Sequence, residues 1–204
     1  MMTLTLLVAM TVFSLTMSIS PGPVNMVIVS SGANHGFRRT LPFVSGATIG
    51  FTLLLIFVGF AFMQVVTGYP RVMLLMGLAG SAFIIYIGWR IASSSPSITL
   101  EKDNVPTFMQ GFLLQWLNPK AWIACASGAA LFSDPDTKAT LITFITIYFL
   151  VCYASLAAWA VLGDRVALVL NSRERIRAFN MLMGGLLIAS ACYLVYGQLG
   201  AYAA

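Results

Sequence analysis

Ser18-Ile19-Ser20-Pro21-Gly22-Pro23-Val24-Asn25 breaks an apolar run that holds no Lys, Arg, Asp or Glu before Arg38. Two prolines within three residues withdraw backbone donors, so a helix cannot pass through undisturbed. The flanking segments, about Thr3 to Ile19 and Val24 to Asn34, lack the apolar–polar alternation of barrel strands and read as helices. Outward from this break the same scarcity of charge recurs. No charged residue lies between Arg39 and Arg71, Arg71 and Arg90, Lys138 and Asp164, or after Arg177. Each gap matches, or nearly matches, the ~20 residues a helix needs to cross the hydrocarbon core. The chain is 59% hydrophobic and 8% charged, against roughly 25% charged residues in soluble domains. Lipid is the solvent that accommodates such a surface.

The expected class is therefore all-α: a polytopic membrane protein of about six transmembrane helices. The broken first span is followed by span two (Leu41 to Val66), a turn at Gly68-Tyr69-Pro70-Arg71 and span three (Val72 to Ala92). Span four (Thr107 to Phe132) is interrupted at Asn118-Pro119-Lys120. A turn at Asp134-Pro135-Asp136 leads to span five (Ala139 to Leu162), and an Arg-rich loop leads to span six (Ala178 to Leu199). The first basic residue is Arg38, so the N-terminus lacks the charged start of a secretory signal and reads as a retained span. Eight Lys and Arg fall in the first, third and fifth loops and two, Arg71 and Lys138, in the second and fourth. The positive-inside rule puts the odd loops in the cytoplasm and both termini outside; a re-entrant first span would change that count.

The halves share a plan, giving a first three-span repeat over 1–92, a linker over 93–106 and a second repeat over 107–204. Pro21 and Asn118 are 97 positions apart, as are Leu41 and Lys138. Three spans per half is an odd number, so the second copy is inverted across the membrane. Matched, proline-interrupted segments in inverted halves point to a transporter's binding site, although a single proline is often a tolerated kink.

The breaks carry chemistry. Pro21, Pro23 and Pro119 leave carbonyls near Met17 to Ile19 and near Gln115 without helical donors. Downstream, Ser20 or Gly22 can cap one new helix and Asn118 the other. Free N–H groups at those helix starts favour an anion, and free carbonyls favour an ammonium. A zwitterionic amino acid presents both. Lys120 lies inside an apolar run, with sixteen uncharged residues before it and thirteen after. An unpaired lysine there costs at least ~2.5–3.5 kcal/mol. It serves as a carboxylate anchor or a titrating coupling group, or else it snorkels to an interface. Asn25 and Gln115 flank the breaks as hydrogen-bonding partners for cargo or as glue between helices. The candidate substrate-binding residues are thus Pro21, Gly22, Pro23, Asn25, Gln115, Asn118, Pro119 and Lys120, with Lys120 and Asp164 as coupling candidates.

Other residues read more plainly. Asp164 and Arg165 look like a solvated pair closing span five, and His35 like an exposed turn residue. Cys125, Cys152 and Cys192 sit in apolar runs without a CxxC pair and read as buried small hydrophobes. Gly46, Gly50, Gly77, Gly80, Ser81, Gly184 and Gly185 would let helices approach closely. No acids, bases or metal ligands converge, so no catalytic residue, metal or cofactor is expected. The net charge of +5 fits basic membrane loops better than a nucleic-acid face.

Ser20-Pro21-Gly22-Pro23-Val24-Asn25-Met26, Gly36-Phe37-Arg38-Arg39 and Gly111-Phe112-Leu113-Leu114-Gln115-Trp116-Leu117-Asn118-Pro119-Lys120 resemble the LysE/RhtB family of bacterial amino-acid exporters over nearly the whole chain. Ser30-Ser31, His35-Gly36-Phe37-Arg38 and Gly46…Gly50-Phe51 are most similar to its cysteine/O-acetylserine efflux branch. The resemblance implies multi-pass residence in the bacterial inner membrane and proton-driven export of amino acids or their derivatives. Many members carry an acidic residue where this chain has Phe51, so Lys120, Asp164 or the cargo's own charge would have to replace it. Two other classes compete with an alternating-access exporter: a non-transporting membrane scaffold and an intramembrane enzyme. Expected partners are a small amino-acid substrate and the bilayer. The chain's size is compatible with a homodimer, which no motif specifies.

Overall fold

A computed structural model describes residues 3–62, 70–93, 105–133, 137–168 and 172–203. Among these residues the fold is helical, without a strand. Eight α-helices follow in order: α1 (Leu4–Ile19), α2 (Pro23–His35), α3 (Phe37–Phe57), α4 (Pro70–Ala92), α5 (Phe108–Trp116), α6 (Pro119–Phe132), α7 (Ala139–Ala167) and α8 (Arg173–Ala203). A π-helical turn, Val58–Phe62, extends α3. The expected turn at Gly68-Tyr69, most of the 93–106 linker and the Asp134-Pro135-Asp136 turn lie outside the described residues.

Helix α1 is apolar on its outside and polar on its inside. Leu4, Val8, Val12, Leu15 and Ile19 are exposed, whereas Ser14 and Ser18 are buried with Met10. Spacings of three and four put each set on one face. This arrangement suits lipid, where apolar side chains meet the solvent and polar ones seek partners within the bundle. The prolines end α1, and the chain turns by 61° into α2. Pro23 occupies the first turn of α2, where a missing N–H costs nothing. Nine consecutive or near-consecutive residues of α2, from Pro23 to Gly32, are buried, so this short helix forms the centre of the molecule.

Glycines set the close crossings. A Cβ on Gly46 would collide with the Phe108 carbonyl, and one on Gly111 with the Phe43 carbonyl, so α5 lies tightly along α3. Gly32 and Gly163 do the same where α2 crosses α7, and Gly88 and Gly184 where α4 crosses α8. Gly185, next along α8, meets nothing, contrary to its expected packing role. Phe13 of α1 packs among Phe132, Phe144 and Tyr148, at centroid separations of 5.7, 5.9 and 6.4 Å.

Among the described residues, three helical stretches are long and apolar enough to cross a membrane: Phe37–Phe60, Ala139–Val166 and Arg173–Tyr193. The bent α1–α2 pair passes the same test only when its two helices are taken together, as one broken span or as a re-entrant loop. Helix α4, 23 residues long, carries the apolar stretch Ser81–Ala92. Helices α5 and α6, with 9 and 14 residues, are each too short to span alone. Several boundaries differ from the sequence reading. Helix α3 starts at Phe37 rather than Leu41, so Arg38 and Arg39 stand on it rather than in a loop. Helix α7 continues past Leu162 to Ala167, and α8 starts at Arg173, so Arg173, Arg175 and Arg177 stand on helical turns rather than in a loop. Charge does not end a helix; a helix stops only where its backbone pairing is interrupted or capped.

Candidate functional site

Four carbonyls at the first break have donors. Ser20 Oγ donates to the Met17 carbonyl at 3.1 Å, and Asn25 Nδ2 reaches back seven residues to the Ser18 carbonyl at 3.0 Å. The remaining donor comes from the other half of the chain. Lys120 Nζ donates to the Ser20 carbonyl and to Ser20 Oγ, both at 2.7 Å, and lies 3.4 Å from the Pro21 carbonyl. A buried or half-buried ammonium needs such acceptors, because lipid offers none. Snorkelling is therefore not how this lysine is accommodated: its head turns inward, onto the opposite break.

The second break is satisfied locally. Asn118 Oδ1 accepts from Lys120 N–H at 3.1 Å and caps α6, as its residue type suggests. The Trp122 indole donates to the Trp116 carbonyl at 2.7 Å. Gly22, by contrast, starts α2 without a side-chain cap. Its backbone is extended, and a Cβ there would meet only the Lys120 side chain, with Nζ at 3.2 Å and Cδ at 3.3 Å. The absent side chain at Gly22 is the space into which Lys120 fits.

Between the breaks lies a cavity of about 40 Å³, lined on its polar side by Ser18, Asn25, Gln115, Asn118 and Lys120. Gly22 also lines it, so five of the eight residues singled out at the breaks converge here: Gly22, Asn25, Gln115, Asn118 and Lys120; Pro21 and Pro23 line an adjoining cavity. Pro119 acts through the backbone, as the first residue of α6. That adjoining cavity, about 520 Å³, is lined by Pro21, Gly22, Pro23, Lys120, Ile123, Ala189 and Tyr193. Ile123 and Tyr193 are exposed, so this larger space opens on the molecular surface.

Three lining residues with polar side chains lie outside the sequence-based candidates: Ser18, Tyr148 and Cys152. Tyr148, Cys152 and Leu156 follow one another at intervals of four on α7, which puts them on a single face. A tyrosine and a cysteine at that spacing in an aliphatic span were the available signal. Cys152 is buried, as expected, and so is Cys125, but Cys192 is exposed. Phe51 lines the cavity too and stacks on Tyr148 at 4.4 Å. An aromatic wall therefore stands where an acidic side chain was considered. No cluster of three or more His, Cys, Asp or Glu side chains occurs among the described residues.

Asp164 is elsewhere. Its Oδ1 accepts from the Phe37 N–H at 3.3 Å, at the corner where α2 gives way to α3. Gly36 turns that corner with φ +82°, a conformation glycine adopts without steric cost. Since α3 has no cap from its own segment, Asp164 supplies one from α7. It is half-buried rather than a solvated partner of Arg165. Near the same end, Asn34 and Asn180 exchange hydrogen bonds of 2.7 and 3.2 Å between α2 and α8. His35 lines a cavity of about 60 Å³ there with Ser30, Ser31 and Asn34.

The description of the LysE type translocator matches residues 15–198, which include both breaks and the cavity between them. The chain belongs to that family. Membership makes it a membrane translocator rather than an enzyme. Relatives named cysteine/O-acetylserine efflux protein cover 96% of this chain and 100% of their own length. They include proteins of Escherichia coli strain K12 at 28% identity, E. coli O139:H28 strain E24377A at 29%, and Shigella sonnei strain Ss046 at 28%. No solved structure matches. For this LysE type translocator, the cavity at the two breaks is the candidate site.

Proposed function

We propose that this translocator exports an amino acid or amino-acid derivative, of the cysteine or O-acetylserine kind, across the bacterial inner membrane. The observation that carries the proposal is the Lys120 ammonium seated on the Ser20 and Pro21 carbonyls, beside a cavity that both breaks line. Such a cavity offers carbonyls for an ammonium, a lysine for a carboxylate, and Asn25 and Gln115 for hydrogen bonds. The name shared by the relatives supports the same class of cargo.

Transport is by alternating access between two inverted three-span halves, 1–92 and 107–204, joined by the 93–106 linker. The exchange of packing partners supports this reading. Helix α1 packs on α7 while α5 packs on α3; α2 meets α7 while α6 meets α3; and α3 with α7, like α4 with α8, pair as counterparts. A two-fold relation between the halves produces that pattern. Six spans follow if each broken pair crosses once. The proton gradient supplies the driving force, and Lys120, the one Lys, Arg, His, Asp or Glu among the described residues lining the cavity, carries the coupling. One chain supplies both breaks, so a homodimer is not needed to complete the site.

The cavity's 40 Å³ corresponds to about three waters, taking roughly 10–15 Å³ for each by the same measure. Cargo therefore requires a more open state, as alternating access entails. The test is counterflow of labelled amino acids into proteoliposomes. Lys120→Ala and Pro21→Ala should insert but lose export, and wild-type rates from both would refute the site. A protein that moves no amino acid yet co-purifies with one stoichiometric partner would instead be a scaffold.

A further inference from the structure

The ammonium that occupies the carbonyls of the first break belongs to the protein itself. Lys120 Nζ makes two 2.7 Å contacts with Ser20 and a longer one with the Pro21 carbonyl. Those acceptors are the ones a cargo ammonium needs. The lysine also stands in the wall between the two cavities, since Lys120 and Gly22 line both the 40 Å³ polar space and the 520 Å³ space that opens outward.

We propose that Lys120 is a resident stand-in for the cargo's ammonium: an arriving zwitterion displaces it from the Ser20 and Pro21 carbonyls, and the freed lysine then pairs with the zwitterion's carboxylate. This deepens the exporter reading and rests on it. The exchange conserves charge pairing at each end. The carbonyls keep a cation, and the displaced cation gains an anion, so neither is left unpaired in a low-dielectric site, where an unpaired charge is costly. An amine without a carboxylate would strand Lys120. A carboxylate without an amine would draw Lys120 away and leave the carbonyls empty. Only a molecule with both groups completes the swap, so the selection for α-amino acids resides in one side chain. Moving Lys120 also removes the wall it forms, joining the two cavities. Binding and opening are thus a single event.

Gly22 provides an independent handle. Its backbone is extended, a conformation open to any residue, and an added Cβ would press on Lys120 alone. Gly22→Ala should therefore push the lysine by a few tenths of an ångström and weaken its seat on the carbonyls without deleting it.

The experiment is inhibition of labelled-cysteine counterflow in proteoliposomes by cysteine, cysteamine, which lacks the carboxylate, and 3-mercaptopropionate, which lacks the amine. On the wild type, each single-charge analogue should compete at least about tenfold more weakly than cysteine. In Lys120→Met, whose transport is expected to fail, competition is read instead as displacement of bound labelled cysteine from the purified protein; the carbonyls are free and no cation is stranded, so cysteamine should gain on cysteine by about tenfold or more. Gly22→Ala should shift that ratio in the same direction by a smaller factor. A merely structural lysine would weaken all three ligands together. The swap is overturned if wild type fails to discriminate the analogues, or if Gly22→Ala leaves the ratio unchanged; either can be read even if Lys120→Met does not insert. If the wild type moves no amino acid at all, the exporter reading itself fails. Counterflow with undiscriminated analogues sinks only the swap.

Discussion

Substitution of Asp164 separates architecture from proton coupling. The carboxylate lies 3.3 Å from the Phe37 N–H and caps a helix whose own preceding residue, Gly36, has no side chain to offer. Asp164→Asn keeps an oxygen acceptor there and gives up only the negative charge at the helix N-terminus, worth ~0.3–1 kcal/mol. Asp164→Ala loses the hydrogen bond as well, and a lost cap adds ~0.5–2 kcal/mol. For a chain of this length each kcal/mol moves the unfolding midpoint by roughly 2–4 °C. The Asn variant should therefore unfold within about 4 °C of wild type and the Ala variant distinctly lower, both measured in detergent. Counterflow by the Asn variant should be near wild type at every pH gradient, because Asp164 does not line the cavity. An Asn variant that unfolds normally but no longer responds to the proton gradient would refute this assignment and make the carboxylate a coupling group.

Other variants probe the packing. Gly184→Ala and Gly185→Ala are neighbours with opposite expected outcomes: a Cβ at 184 meets the α4 backbone, while one at 185 meets nothing. The first should destabilise by ~1–3 kcal/mol through overpacking, and the second should be neutral or stabilise by up to about 1 kcal/mol, as alanine replaces glycine in a helix; unfolding curves of the pair decide. A double-mutant cycle on Asn34→Ala and Asn180→Ala should give a coupling energy of ~0.6–1.7 kcal/mol, the range for hydrogen bonds between membrane helices. Strict additivity would mean that the reciprocal amide bonds contribute nothing. Asn118→Ala should cost about 1 kcal/mol through loss of the α6 cap, read from the same unfolding assay.

The helical membrane class, the two breaks and the cap at Asn118 were legible from the sequence, because each has a local cause. Proline lacks a donor wherever it stands, asparagine caps the helix that follows it, and long charge-free runs seek lipid irrespective of their neighbours. Local causes also account for Gly22 and Lys120 being noticed. What they touch is another matter. Lys120 and Ser20 are 100 residues apart, and Asp164 and Phe37 are 127 apart; such pairings depend on helix crossings, which the glycine contacts set to within an ångström. Asp164 reads as solvated because a charge at the end of an apolar run usually is, and the spacing of Tyr148 and Cys152 names a face but not what that face meets. The sequence alone determined that two broken helices leave carbonyls in need of donors. Only the tertiary structure decided that the donor at one break is the lysine of the other, since only folding brings an ammonium and those carbonyls within hydrogen-bonding distance.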